Sequence, residues 1–227
     1  MQISALKTEG TKDAFLIEGE KFIGDTDPKN ILKIFSTDRA VCEKFEKTGA
    51  ECFEVSESVL KKLSCETSKS RIVAVVKKGD SPLPEKLLLL DGIQDPGNVG
   101  TMIRTAHAFG FGVICGGGTA NPFLPKAVRS TAGALCGAFV ERRDLAEYIP
   151  YLKSEGYTVC GSALDKKAVA PKKADGKTAL VIGSEGRGMS ESVAESCDET
   201  FFISIKNVES LNAATAAGIL MYVLGGN

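Results

Sequence analysis

The sequence predicts an α/β fold in which a larger C-terminal domain, built on a parallel sheet, follows a smaller α/β domain. Short apolar runs alternate with segments of helical periodicity along the chain, as in largely parallel sheets covered by helices. Four consecutive leucines at 87–90 indicate a strand covered on both faces. The polar segment 77–85 contains two prolines and lies between the two domains. We therefore expect domains over residues 1–78 and 86–227, with 79–85 as the linker.

The smaller domain is predicted to alternate strands with helices. Its strands are expected at residues 14–17, 31–36, 51–55 and 72–76. Its helices are expected near Glu20 and over residues 39–47 and 56–63.

The larger domain follows the same alternation. Its strands are expected at residues 87–90, 112–115, 136–140, 157–163, 178–182 and 201–205. Its helices are expected over residues 99–109, 124–131, 145–154, 190–197 and 211–224. Ligands of open α/β sheets bind outside the carboxyl ends of the strands, so the loops that follow these runs are the candidate sites.

The charge balance gives no overall attraction to a polyanion. Lysine and arginine total 28 against 29 for aspartate and glutamate, which leaves a net charge of −1. Any surface for nucleic acid must therefore be local. The composition, 43% hydrophobic and 25% charged, is that of an ordinary globular protein.

The cysteines indicate reduced thiols rather than a metal site or disulfides. There are seven, none of them in a CxxC pair, beside one histidine, which argues against zinc. The odd count and the absence of a signal-peptide pattern predict a cytoplasmic protein with mostly buried thiols. No apolar run approaches the roughly 20 residues of a membrane span.

The first of three candidate loops, residues 91–110, follows the leucine run and leads into a predicted helix. Asn98 can cap that helix, and Gly110 can end it in the left-handed conformation. Arg104 lies outside the predicted buried stripe, so it is either an ordinary surface charge or a functional group. His107 has no evident orienting partner and is expected to be structural. A single histidine also argues against Ser-His-Asp and Cys-His hydrolysis.

The second candidate loop, Gly183–Met189, contains three glycines within six residues, which lets a ligand approach the backbone closely. Its spacing matches neither the phosphate-binding P-loop nor the GxGxxG fingerprint, which disfavours a nucleotide-dependent oxidoreductase. A tight turn without a ligand is the alternative interpretation.

The third candidate loop, Lys206–Asn212, joins the last predicted strand to a helix of small residues. Ser210 can cap that helix. Ser210 and Asn212 are therefore candidates either for capping or for a site.

Together these segments resemble the SpoU (TrmH-like) branch of the SPOUT RNA 2′-O-ribose methyltransferases. The similar segments are Asp95–Asn98 with Arg104-Thr-Ala for the first family motif, Ile182–Gly188 for the second, and Ser210–Asn212 for the third. The intervening Gly118–Phe123 and Lys126–Gly133 also look like this family, so the resemblance covers about residues 86–225. Residues 14–76 resemble, less specifically, the small RNA-binding domain that often precedes the catalytic domain.

The resemblance implies an enzyme that transfers a methyl group from S-adenosylmethionine to a ribose 2′-hydroxyl in rRNA or tRNA. It also implies a deep trefoil knot near the C-terminus. The expected assembly is a homodimer with the active site at the subunit interface, with RNA as the substrate and without a metal.

The resemblance assigns roles to individual residues. It implies that the backbone holds the cofactor at Gly183, Ile203 and Leu211. The remaining pocket-lining positions that it implies are Thr119, Glu185, Gly188 and Ile205. The positions that match catalytic or structural polar residues are Asn98, Arg104, Glu185, Ser210 and Asn212. Candidate RNA contacts are Arg104 together with Lys126 and Arg129 on one predicted helix; a solvated helix face is the alternative for the last two.

Arg104 matches the residue that the family is thought to use on the 2′-hydroxyl, as a base or as an electrostatic group. A guanidinium in a protein is almost never neutral. We therefore favour stabilisation of the developing alkoxide and binding of the adjacent phosphate.

Two features depart from the family pattern. Ile203-Ser204-Ile205 stands where many relatives have Ile-Pro-Met, and the loop to Ser210 is one residue shorter, so the adenosine pocket is expected to differ in shape or affinity. The alternative function is a non-catalytic RNA-binding protein that retains the fold. The presence of Asn98, Arg104, Glu185 and Asn212 argues against that alternative.

Overall fold

The computed structural model describes residues 14–46, 49–64, 70–79, 81–163 and 168–225. The first 13 residues of the predicted small domain, Lys47, Cys65, Asp80 of the predicted linker and the last two residues lie outside the described residues. Two sheets follow one another along the chain, the first before residue 78 and the second after residue 85.

The first sheet has four strands in the order β1-β4-β2-β3. The strands are β1 (Ala14–Glu18), β2 (Ile31–Ser36), β3 (Glu51–Glu54) and β4 (Ile72–Lys77). The helices between them are α1 (Glu20–Gly24), α2 (Arg39–Glu46) and α3 (Glu57–Leu63), with a 3-10 turn at Pro28–Asn30. Every predicted element of this unit is confirmed within a few residues.

The second sheet has six strands, all parallel, in the order β10-β8-β9-β5-β6-β7. The strands are β5 (Lys86–Asp91), β6 (Gly112–Cys115), β7 (Val140–Arg142), β8 (Thr158–Ser162), β9 (Thr178–Gly183) and β10 (Glu199–Phe201). The helices are α4 (Pro96–Ala108), α5 (Pro125–Ser130), α6 (Leu145–Ser154), α7 (Glu191–Glu195) and α8 (Ala213–Gly225). A 3-10 turn covers Ala134–Cys136.

The leucine run forms β5 near the middle of this sheet, as its composition predicts. Leu87, Leu88, Leu89 and Leu90 are all completely buried, because successive side chains point to opposite faces and both faces are covered by helices. Burying each leucine contributes about 1.5–3 kcal/mol relative to an exposed one. The centre of the sheet is thus a rigid base for the loops at its carboxyl edge.

Both sheets contribute to one apolar core. The rings of Phe15 on β1 and Phe123 lie with their centroids 5.7 Å apart, and the Lys78 ammonium lies 3.5 Å from the centroid of the Phe123 ring. A contiguous cluster of buried residues runs from Ile17 in the first sheet to Leu88 in the second. The two units are therefore packed against each other, not merely tethered.

Three expectations about the strands are wrong. The first sheet is mixed, because β4 pairs antiparallel with both β1 and β2, and only β2 and β3 are parallel. The strand predicted at 136–140 is also wrong at its start, because residues 134–136 form a 3-10 turn after Gly133 with Leu135 buried, and β7 starts only at Val140. The strand predicted at 201–205 ends at Phe201, the last residue that pairs with β8.

Helix α4 begins and ends on recognisable signals. Asp95, not the predicted Asn98, caps it, since the Asp95 carboxylate accepts a hydrogen bond from the Asn98 backbone N–H at 3.2 Å. Pro96 at the first helical position explains the earlier start. Gly110 ends the helix with φ +75°, and the Phe111 N–H donates to the Ala106 carbonyl at 2.8 Å, as in a Schellman motif. The prediction for Gly110 is confirmed.

The described cysteines are all free thiols. Burial raises the pKa of Cys115 to about 12, and raises the pKa of Cys160 and of Cys197 to about 11. Among the described residues, no helix combines the length and the apolar character needed to cross a membrane.

We expect Gly100→Ala to destabilise the protein, because α4 and α5 touch at this glycine. A Cβ at position 100 would overlap the Ala127 carbonyl oxygen and lie 2.5 Å from the Ser130 Cβ. Forcing the helices apart should lower the free energy of unfolding in urea by about 1–3 kcal/mol. As a control, Gly117→Ala places its Cβ in open space and should change stability by less than about 0.5 kcal/mol. Equal stability of the two variants would contradict this account of the helix contact.

Candidate functional site

A pocket of about 450 Å³ lies where several loops meet at the carboxyl edge of the second sheet. This volume is in the range of small-molecule and cofactor sites. Of the predicted site residues, those that line it are Gly183, Glu185, Gly188, Ile203, Ile205, Ser210 and Leu211. The structure thus brings together the second and third predicted loops around one cavity.

Glu185 is the polar centre of this arrangement. Its Oε1 accepts hydrogen bonds from the Asn98 side-chain amide at 2.8 Å, from the Asn212 side-chain amide at 2.8 Å, and from the Ala213 backbone N–H at 3.3 Å. The Asn212 amide also donates to the Asn98 Oδ1 at 3.2 Å. One carboxylate therefore joins α4, the glycine loop and the start of α8.

The glycine loop is a tight turn that also forms a wall of the pocket, so the turn leaves room for a ligand site. Ser184 and Gly188 exchange backbone hydrogen bonds of 2.9 and 2.8 Å. A Cβ on Gly183 would overlap the backbone of Gly188 and Met189, and Gly188 has φ +70°. Both positions therefore require glycine for the turn itself.

Asp91 anchors the far end of this loop, a role that sequence analysis missed. It ends β5, pairs in register with Gly183 of β9, and is almost completely buried. Its Oδ2 accepts hydrogen bonds from the Ser190 N–H at 2.6 Å and from the Ser190 hydroxyl at 2.9 Å. An acidic residue directly after an apolar strand is the signal that could have found it.

Of the two capping candidates, Ser210 and Asn212, it is Asn212 that caps α8. The Asn212 Oδ1 accepts hydrogen bonds from the N–H groups of Ala214 at 2.9 Å and Thr215 at 3.2 Å. The helix starts at Ala213, two residues after the predicted start, so Ser210 lies too early to reach its free N–H groups. Ser210 lines the pocket instead.

Ile203 and Ile205 reach the pocket because the chain leaves the sheet after Phe201. The Phe202 N–H donates to the Val169 carbonyl at 3.0 Å, and from there the chain runs towards Leu211. Ile203 and Ile205 line the pocket, while Ser204 between them is exposed. Residues 203–205 therefore alternate between the pocket and solvent, although they lie in a loop and not in a strand.

Thr119 is not among the pocket-lining residues. It is hydrogen-bonded to the segment that follows β5. Its hydroxyl donates to the Leu90 carbonyl at 2.8 Å and accepts from the N–H groups of Gly92 and Ile93 at 3.1 and 3.3 Å. Thr119 is almost completely buried. These contacts fix the course of the chain between β5 and α4.

Arg104 is exposed on α4 and does not line the pocket. It follows Asn98 by six positions, which is about 9 Å along the helix axis and about 120° around it. His107 lies in the last turn of the same helix, next to Gly137 and outside the pocket. One chain therefore does not bring Arg104 to the polar centre.

Lys126 and Arg129 lie on α5, as predicted, but in different surroundings. The Lys126 ammonium is 2.6 Å from the Asp95 carboxylate, and this ion pair lowers the pKa of Asp95. Arg129 lines a second cavity, of about 530 Å³, between α5 and the first sheet. Lys126 is thus linked to the start of α4, and Arg129 faces the junction of the two units.

Comparison with known proteins identifies the family. Residues 85–222 match the SpoU rRNA Methylase family. The chain belongs to this family. The matched region spans the second sheet and its helices, including every residue of the pocket described above.

Individual relatives match over nearly the whole chain. The 23S rRNA (guanosine(2553)-2'-O)-methyltransferase RlmP of Bacillus subtilis (strain 168) is 37% identical, with 97% of this chain and 92% of the relative covered. The 23S rRNA (guanosine-2'-O-)-methyltransferase RlmB of Coxiella burnetii is 28% identical, with 93% and 94% covered. The crystal structure of an AdoMet-bound rRNA methyltransferase from Sinorhizobium meliloti superposes with a TM-score of 0.81 at 27% identity, with 98% and 92% covered.

Substitutions at Asn212 should separate its capping role from its link to Glu185. Asn212→Ala removes both, and we expect the free energy of unfolding to fall by about 1–2 kcal/mol. Asn212→Ser keeps a capping oxygen but loses the amide that donates to Glu185, so about half of that loss should be recovered. Urea unfolding measures both variants. Identical losses would contradict the capping assignment.

Proposed function

We propose that the protein transfers a methyl group from S-adenosylmethionine to a ribose 2′-hydroxyl of ribosomal RNA. The observation that carries the proposal is the meeting of Asn98, Glu185 and Asn212 beside a loop-built pocket that Glu185 itself lines. The relatives RlmP and RlmB are named for the 2′-O-methylation of guanosines in 23S rRNA, which favours rRNA over tRNA.

The pocket suits S-adenosylmethionine in its chemistry. Its lining consists largely of glycines and of small or apolar residues, among them Gly183, Ile203, Ile205 and Leu211. Such a lining gives an adenosine the apolar faces and backbone hydrogen-bonding groups that it needs. When bound, the cofactor supplies an electrophilic methyl group on a sulfonium.

The residues of this chain then position the reactants and stabilise the developing charge. The Glu185 network holds the glycine loop against α4 and α8, so the pocket walls keep their spacing while an acceptor is aligned. Arg104, always charged, stabilises the negative charge that develops on the 2′-oxygen and binds the neighbouring phosphate. Arg129 and the first sheet provide further contacts to the RNA, in keeping with a separate substrate-binding domain.

Arg104→Ala should abolish methyl transfer while leaving cofactor binding intact. Loss of a group that acts on the developing charge costs about 100-fold or more in rate. Transfer of a labelled methyl group to 23S rRNA measures the rate, and calorimetry with S-adenosylmethionine measures binding.

As a matched control, Arg142→Ala removes an exposed arginine at the end of β7, outside the pocket, and should retain activity. Near-normal turnover of Arg104→Ala would exclude the assigned role. No binding of S-adenosylmethionine by the unaltered protein, even at millimolar concentration, would favour a non-catalytic RNA-binding protein instead.

We further propose a homodimer in which Arg104 of one subunit faces the pocket of the other. Within one chain, Arg104 does not line the pocket, so in this proposal a second copy completes the site. The adjacent surface supports such a contact, because α8 carries no charged side chain. Ile219 and Tyr222 on its outer face are 39% and 52% exposed, and the Tyr222 ring contacts Phe109 next to α4. A self-complementary patch of this kind is typical of two-fold interfaces.

The proposal includes a knotted chain in the cytoplasm. Strand β10 lies at one edge of the second sheet, whereas α8 packs against α4 and against the central strand β9. Residues 202–212 must therefore cross the carboxyl edge next to the glycine loop. A trefoil knot threaded through that loop accounts for this course. Free thiols at every described cysteine suit a reducing compartment.

The dimer can be tested by disrupting its surface. Tyr222→Glu places a charge on the apolar face of α8 and should convert the dimer to a monomer in light scattering, with loss of methyl transfer. Tyr151→Glu, on the exposed face of α6, serves as the control and should leave the dimer intact. A fully active monomer would contradict the shared site.

Mixing two inactive variants tests whether Arg104 acts across the interface. Subunits with Arg104→Ala and subunits with Glu185→Ala, exchanged at equal amounts, should regain about a quarter of the activity. Half of the dimers are then mixed, and each of these has one complete site. If both residues act within one chain, mixing restores nothing.

A further inference from the structure

We propose that Arg187 binds the carboxylate of the amino-acid portion of S-adenosylmethionine. This inference rests on the proposed function and deepens it, since it assigns a ligand contact to a residue of the glycine loop. Arg187 stands between Gly186 and Gly188 and lines the pocket.

The charge inventory of the pocket points to Arg187. Among the described residues that line it, the charged side chains are Glu185 and Arg187. The Glu185 Oε1 already accepts three hydrogen bonds and, as an anion, cannot attract a carboxylate. Arg187 is the one described lining residue with a positive charge.

The loop holds the base of Arg187 in place and leaves its end available. The Arg187 backbone N–H donates to the Ser184 hydroxyl at 3.3 Å, inside the turn closed by Ser184 and Gly188. The Arg187 side chain is exposed and makes no ion pair with any residue that the structure describes. Its guanidinium can therefore reach over the pocket rim without breaking an existing contact.

The ligand supplies a matching group. The amino-acid portion of the cofactor carries one carboxylate, which would lose hydration on entering a pocket lined largely by apolar atoms. Such a group needs a partner there. A guanidinium meets a carboxylate through two parallel N–H···O bonds, which a lysine ammonium cannot reproduce.

The test compares S-adenosylmethionine with its decarboxylated form, which differs only in the missing carboxylate. Calorimetry on the full chain gives both affinities for the unaltered protein, for Arg187→Ala and for Arg187→Lys. We expect Arg187→Ala to weaken S-adenosylmethionine about tenfold and to leave the decarboxylated form unchanged, because only the first ligand loses a charge-assisted contact. Arg187→Lys should recover part of the loss.

Lys206→Ala is the matched control, because this exposed cation lies on a neighbouring loop but does not line the pocket. It should alter neither affinity. Equal weakening of both ligands by Arg187→Ala, or weakening of neither, would overturn the assignment while the proposed function stands. Unchanged ligand affinities with a weakened affinity for rRNA would assign Arg187 to an RNA phosphate instead. Failure of the unaltered protein to bind S-adenosylmethionine would overturn both proposals.

Discussion

A single carboxylate oxygen holds together three segments that are far apart in sequence. The Glu185 Oε1 accepts hydrogen bonds from the side-chain amides of Asn98 and Asn212, which lie 87 positions before it and 27 after it, respectively. The local sequence of each segment does not determine its position relative to the other two. The site therefore exists only when the second sheet is complete and the last helix is docked. The same network caps α8, so local helix stability and the shape of the pocket depend on one residue, Asn212.

The parallel sheet explains how such distant segments meet. Strands β5 and β9 are neighbours in register, so Asp91 and Gly183 end side by side at the same edge. The Asp91 carboxylate then accepts a hydrogen bond from the Ser190 N–H, at the end of the glycine loop. The loop is thus held at both ends and closed on itself at Ser184 and Gly188. A glycine-rich segment is thus held in one conformation as a wall of the pocket.

Features that depend on local sequence could be predicted, whereas features that depend on contacts between distant segments could not. The leucines of β5, the left-handed Gly110 and the exposed Arg104 could be predicted because each depends on periodicity or on one backbone conformation. The choice between Asn98 and Asp95, or between Ser210 and Asn212, could not be made, because asparagine, aspartate and serine all cap helices well. Ile203 and Ile205 alternate as in a strand, yet β10 is an edge strand and stops at Phe201. Predicting the hydrogen bonds of Glu185 requires the order of the strands in the sheet, and no local sequence pattern gives that order.

The positions of Ile203, Ser204 and Ile205 indicate what their departure from the family's Ile-Pro-Met pattern changes. Ile203 and Ile205 face the pocket, whereas Ser204 is exposed. A serine in place of proline therefore changes the freedom of the loop more than the surface that meets a ligand. Isoleucine in place of methionine keeps an apolar contact but is branched at Cβ and less adaptable. The pocket thus keeps its apolar character while one wall becomes stiffer in its side chain and looser in its backbone. The stiffer side chain and the looser backbone are expected to act on the affinity for the cofactor in opposite directions. The shorter connection to Ser210 limits the effect of the looser backbone, because fewer residues are free to move.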